Sequence, residues 1–157
     1  MIKISIPGKG TMNIENIVLD FNGTIAADGK LKEGIAERLN RLHEQGIAIF
    51  ILTADTYGEA KEQCRDLPVQ LEVFDKENAA LSKREILDKI GSKETVTIGN
   101  GNNDVEMFEE SILSVAVIGD EGCAAKAIYA SDIVCNNIND AIDLVLYPNR
   151  IKATLRM

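Results

Sequence analysis

The hydrophobic and polar positions of this chain change period repeatedly, and each change marks an element. Ile2 to Ile6 alternates apolar and polar, the pattern of a strand with one wet face. Pro7-Gly8-Lys9-Gly10 reads as a turn, and Ile14 to Leu19 as the next strand, so residues 1–13 open an N-terminal β-hairpin. Ala26 to Lys30 reads as a short loop. Ile35, Leu39 and Leu42 lie on one helical stripe that ends at Gly46. Ile47 to Leu52 is a continuous apolar run, the signature of a parallel strand covered on both faces. A polar helix to about Arg65 and a weaker strand, Val69 to Phe74, come next. Ser82-Lys83-Arg84-Glu85 has the form of a capping box, and Ile86, Leu87 and Ile90 continue that helix to Gly91. Thr95 to Ile98 is a strand, Val105 to Glu110 a helix and Ile112 to Ile118 a buried strand. Cys123 to Tyr129 reads as a helix, Ile133-Val134 as a short strand, and Ile138 to Leu146 as the last helix. Residues 148–157 form a basic tail carrying Arg150, Lys152 and Arg156.

Strands and helices alternate throughout, which predicts an α/β class with a mostly parallel sheet and helices on both faces, a three-layer α/β/α sandwich. The 157 residues suit one domain, spanning 1–157, with one core. Hydrophobic content of 45% and charged content of 27% exclude a disordered or membrane-embedded chain. The net charge of −8 argues against nucleic acid or an anionic membrane as a partner. An acidic protein that handles anionic substrates needs a cation at its site, a first hint of a metal. Cys64, Cys123 and Cys135 are too widely spaced for a disulfide framework or a C-x-x-C pair, so a reducing cytoplasm is expected. No apolar stretch is long enough to span a bilayer, and Met1 to Ile6 lacks the core of a signal peptide.

The chemistry gathers at predicted strand ends. Asp20-Phe21-Asn22-Gly23-Thr24 follows the buried run Ile17-Val18-Leu19. In an open α/β sheet ligands bind outside the carboxyl ends of the strands, so Asp20 stands where a reacting group would sit. Gly23 lets the backbone approach a ligand closely, and the Thr24 hydroxyl suits a phosphate oxygen. Thr53-Ala54-Asp55 ends a second strand, Lys83 lies on a helix, and Gly99-Asn100-Gly101-Asn102-Asn103-Asp104 follows a third strand. Each has a plainer structural reading. Asn22-Gly23 suits an ordinary hairpin turn. Thr53, Asp55 and Asp104 suit helix caps, and Asn100, Asn102 and Asn103 suit left-handed turns. Lys83 as a solvated lysine fits less well, because it precedes Ile86 and Leu87 on the inward stripe. His43 adjoins the Leu39 face and reads as a surface or boundary residue.

In order and context, these four motifs resemble the haloacid dehalogenase-like superfamily of phosphohydrolases. More narrowly, Thr53-Ala54-Asp55 and the Gly-x-Gly-x-Asn-Asp pattern resemble the phosphorylation domain of P-type ATPases in soluble form. The resemblance implies a Rossmann-like sheet and an aspartyl-phosphate on Asp20. It implies Thr53, Ala54, Gly23, Thr24 and Lys83 on the phosphoryl oxygens, Mg²⁺ held by Asp20, Asn22, Asn100 and Asp104, and Asn103 in support. The short gaps from Thr24 to Thr53 and from Thr53 to Lys83 leave no room for an inserted cap domain. Two positions depart from the family pattern. Asn22 stands where an acid/base Asp is common, which implies slow turnover, and Asn100 removes a negative charge beside the metal. The expected function is a Mg²⁺-dependent phosphohydrolase acting on a small phosphorylated substrate or a phosphoprotein. The other reading is a regulatory phosphate-binding module. An open site also points to a homo-oligomer, formed through the Ile2 to Ile6 hairpin.

Overall fold

The computed structural model describes residues 1–54 and 58–157. Its centre is a six-stranded sheet, all parallel, in the order β10-β9-β8-β3-β6-β7. The strands are β3 (Asn16–Asp20), β6 (Ala48–Thr53), β7 (Gln70–Val73), β8 (Thr95–Gly99), β9 (Leu113–Val117) and β10 (Ile133–Cys135). Strand order reverses beside β3. Its neighbours on the two sides are β6 and β8, so a crevice opens at the carboxyl ends of these three strands.

Alternation along the central strand builds the three layers. Ile17 and Leu19 point into one core with Ile35, Leu39 and Leu42 of α1 (Ile35–Glu44) and Ala141, Ile142 and Val145 of α6 (Ile138–Leu146). Val18 points the other way. It packs with Ile86 and Leu87 of α3 (Ala79–Ile90), Met107 and Phe108 of α4 (Val105–Glu110) and Ala127 of α5 (Ala125–Ala130). The remaining helices are α2 (Glu59–Gln63) and α7 (Asn149–Leu155). Among the described residues, no helix is long and apolar enough to cross a membrane. Between Thr53 and Lys83 the described residues form only α2, β7 and the first turn of α3.

Four elements differ from the sequence reading. The hairpin pairs β1 (Ile2–Ile6) with β2 (Gly10–Ile14), and the chain breaks at Glu15 before β3 begins. There the Glu15 N–H donates to Glu94 and its carbonyl accepts from Ala48, which turns an antiparallel strand into a parallel one. The loop after Thr24 carries a small ribbon, β4 (Ala26–Ala27) against β5 (Lys30–Leu31). Helix α3 starts three residues before the Ser82 capping box, after Asn78. Ser82 Oγ accepts instead from the Asp75 N–H at 3.1 Å, closing the loop that leads into the helix. The basic tail is the helix α7, which buries Ile151 and packs on β1.

Ile4, Ile6 and Ile14 of the hairpin belong to the main core. Those three side chains are therefore covered by this chain's own core. Ile6→Ala should lower unfolding stability by about 2–5 kcal/mol, as in other core truncations, without changing hydrodynamic size. Urea unfolding and light scattering check this. An undiminished stability with a smaller particle would make the hairpin an interface.

Candidate active site

Asp20 ends β3, where Phe21 N–H donates to the Leu52 carbonyl of β6 at 2.9 Å. The chain then curls tightly. Gly23 and Ala26 exchange a bond at 3.0 Å, with Gly23 the donor, and the Ala26 N–H donates to Phe21 at 3.0 Å. Gly23 takes φ +75°, a conformation in which any side chain is strained. This is not a hairpin turn of the sheet, since both neighbours of β3 are parallel. Thr53 and Ala54 end β6 on the same rim, and Asn100 to Asn103 follow β8. A cleft of about 460 Å³, a typical small-molecule size, is lined by Asp20, Asn22, Thr53, Ala54, Asn100, Gly101 and Asn103.

Lys83 is the centre of the site. It has no solvent exposure, although it is a lysine. Its Nζ lies 2.7 Å from Asp104 Oδ1 and 3.3 Å from Asp20 Oδ2, and it donates to Asn103 Oδ1 at 3.1 Å. The Phe74 ring centroid lies 4.6 Å away and closes the pocket around the ammonium. Asp104 is equally buried. Its second oxygen accepts from the Asn100 and Gly101 N–H groups, both at 2.9 Å. A side chain at Gly99 would overlap this carboxylate, which is why the loop begins with glycine. Asp104 was expected on the metal. The structure instead sets it beneath the cleft, where it holds Lys83 and the backbone of the Asn100 loop.

Two carboxylates face one ammonium here, leaving the trio one negative charge in excess. Burial pushes the Asp20 carboxyl up to about 7, Lys83 opposes the rise, and Asp104 adds to it. The donors left for a cation are all oxygens: the Asp20 carboxylate, the Asn22 backbone on the cleft wall, and the Asn100 side chain. Asn100 Nδ2 donates to the Gly122 carbonyl at 3.3 Å, which turns its Oδ1 the other way. An oxygen set with spare negative charge fits a hard divalent cation. No group of three or more His, Cys, Asp or Glu gathers for a metal among the described residues, so the set holds one strong ligand.

The other expected residues divide. Gly23 is buried under the Glu121 carboxylate, which a side chain at that position would overlap. Thr24 is fully buried, and its hydroxyl has no hydrogen-bond partner among the described residues, so it is set back from the cleft. Asp55 lies outside the described residues. His43 is exposed on α1, and Cys123 and Cys135 are free thiols. Phe74, Lys76 and Glu121 line the cleft without having been singled out. Each follows the carboxyl end of a sheet strand, and that placement was the available signal.

The sequence model of the haloacid dehalogenase-like hydrolase family matches residues 6–111, more than half of the chain. The chain belongs to that family. It is 27% identical over 123 residues to a soluble P-type ATPase-like phosphatase of Methanocaldococcus jannaschii, an alignment covering 77% of this chain and 45% of that one. It thus spans less than half of that relative. An uncharacterised protein of the same organism is 46% identical over 80 residues, covering 48% of this chain and 86% of that one. Among solved structures, the cobalt-bound deoxy-D-mannose-octulosonate 8-phosphate phosphatase of Haemophilus influenzae superposes with a TM-score of 0.72. Identity there is 15%, covering 92% of this chain and 94% of that one. This likeness shows a shared fold.

The raised Asp20 carboxyl carries a pH signature in metal-free protein. A group whose pKa rises on folding stabilises the fold fully below its unfolded value, near pH 4, and loses that contribution as pH rises through about 7. Asp20→Asn lacks this titration. In chelator, the stability of Asp20→Asn relative to wild type should climb between about pH 4 and 7 and level off above, by at most roughly 4 kcal/mol. Urea unfolding across that range tests it, and a difference independent of pH would contradict it.

Proposed function

We propose that this chain is a divalent-metal-dependent phosphohydrolase that works through an aspartyl-phosphate on Asp20. The observation that carries this reading is the buried Lys83 held between Asp20 and Asp104 beneath an open cleft that Asp20 lines. The buried ammonium from α3 and the half-buried carboxylate at the end of β3, 3.3 Å apart, make an arrangement suited to a transferring phosphoryl group. The family and the phosphatase relative support the same chemistry.

Asp20 is the nucleophile in this reading. Lys83 engages its Oδ2, which leaves Oδ1 to attack phosphorus. Mg²⁺, held by Asp20, the Asn22 carbonyl and Asn100, would supply positive charge to the phosphoryl oxygens. Thr53 and the backbone at Ala54 bind those oxygens from the β6 side of the cleft. Lys83 screens the charge that develops as the leaving group departs. Asp104 and Asn103 fix the lysine, so they act through it. Asn22 is exposed at the cleft mouth and offers hydrogen bonds but moves no proton. Without another acid–base group, turnover is slow. The open cleft suits a small phosphorylated molecule or a phosphorylated protein segment, and cysteines too widely spaced for a disulfide framework suit the cytoplasm.

A panel of phosphorylated compounds, from aryl phosphates and acyl phosphates to sugar phosphates, tests the reading. Hydrolysis of at least one is expected with Mg²⁺, and chelator or Asp20→Asn should reduce it to background. Activity that survives Asp20→Asn in chelator would end this account. Phosphate binding with no turnover on any compound would favour the regulatory module, which Asn22 and Asn100 keep open.

A further inference from the structure

Glu121 lies in the turn that follows β9, on the same rim as Asp20 and Asn22, and it lines the same cleft. The turn is closed by the Gly122 N–H donating to the Gly119 carbonyl at 2.9 Å. It is fastened to the Asn100 loop twice: the Asn100 side chain donates to Gly122 at 3.3 Å, and the Ala124 N–H donates to the Asn100 carbonyl at 2.8 Å. Lys32 pairs with Asp120 at 3.2 Å on the other side, a weaker tie because Asp120 is largely exposed. The effect is to seat the Glu121 carboxylate on Gly23, in space that any side chain at that position would fill.

That seat has no structural rationale. Among the described residues, no Lys, Arg or His lies within 4.0 Å of Glu121 to form an ion pair. The buried cation of the site is already engaged by Asp20 and Asp104. Glu121 also does not join those two as a three-carboxylate metal cluster. What remains is a water-exposed carboxylate one residue from Asn22, facing the reaction space. General acid–base groups need this placement, within direct or one-water reach of the reacting oxygens.

We propose that Glu121 is the general acid–base of this site and supplies the proton transfer that Asn22 cannot perform. The proposal rests on the aspartyl-phosphate reading of Asp20. In the first step an Asp20 oxygen bonds to phosphorus as the ester P–O bond breaks. The leaving oxygen keeps the electron pair and takes a proton from the Glu121 carboxyl. In the second step water bonds to phosphorus as the P–O bond to Asp20 breaks, returning the electron pair to the Asp20 carboxylate. The proton lost by that water passes to the Glu121 carboxylate, which restores the acid. One water is consumed, and an alcohol and inorganic phosphate are released.

A cycle of wild type, Glu121→Gln, Asn22→Asp and the double variant tests this. Both positions are exposed, so the folded state tolerates the changes. The readouts are single-turnover dephosphorylation by acid quench, kcat on an alkyl and an aryl phosphate, and Mg²⁺ affinity by calorimetry. Glu121→Gln should lower kcat on the alkyl phosphate by about 10²-fold and raise the trapped phosphoenzyme, with a smaller loss on the aryl phosphate, whose leaving group needs no proton. Asn22→Asp should speed dephosphorylation, and in that background Glu121→Gln should cost no more than about twofold. Glu121→Gln should leave the Mg²⁺ affinity of its parent, with Asn22 or with Asp at that position, within about twofold. An equal loss in both backgrounds and on both leaving groups would make Glu121 structural and overturn the proposal. A tenfold weaker Mg²⁺ affinity in Glu121→Gln would make it a metal ligand and overturn it equally. Turnover without protein-bound phosphate in any of the proteins would instead remove the Asp20 reading beneath it.

Discussion

The structure depends on one buried ammonium shared by two carboxylates. Removing Lys83 from water costs several kcal/mol, and only close, well-oriented counter-charges repay that. Asp104 and Asp20 supply them at 2.7 and 3.3 Å. To do so, the ends of β3 and β8 must lie side by side, with α3 laid across them so that residue 83 points inward. Gly99 must lack a side chain so that Asp104 fits, and the Asn100 and Gly101 N–H groups must turn toward its second oxygen. The sheet order around β3 and the shape of the loop after β8 are thus tied to a single ion-pair geometry.

The same geometry leaves the site unbalanced in a useful way. With one lysine against two carboxylates, Asp20 is poorly tolerated as an anion, and burial raises its carboxyl to about 7. In the proposed reaction a divalent cation would relieve that repulsion on the cleft side, and a phosphoryl group would relieve the positive charge it brings. Asn100 keeps this demand modest, since it adds an oxygen to the cleft without adding charge. Asn22 does likewise, and it moves the question of proton transfer to its neighbour in the cleft, where Glu121 rests on Gly23.

The sheet and most of the cleft rim were legible in the chain because they rest on local signals. The apolar run Ile47 to Leu52 and the glycine-rich segment after Ile98 need no tertiary information to be read as a strand and a strand-end loop. Lys83 was legible because its spacing from Ile86 and Leu87 turns it inward. Other features depend on contacts distant in sequence. The start of α3 is set by Asn78 and by the bond from the Asp75 N–H to Ser82, so the capping-box pattern pointed to the wrong residue. Glu15 breaks the N-terminal strand only because Glu94 and Ala48 capture its backbone. The orientation of Asp104, toward the lysine and away from the cleft, has no counterpart in residue type. Glu121 belongs to no motif, and its place beside Gly23 exists only once β9 lies two strands from β3.

The central claim is that Asp20 itself carries the phosphoryl group while Lys83 holds it from behind. Turnover quenched in acid, followed by borohydride reduction and peptide mapping, reads the site of the acyl phosphate directly. The account predicts homoserine at position 20 and at no other carboxylate. Reduction at Asp104 or Glu121, or an unreduced chain recovered during active turnover, would contradict it.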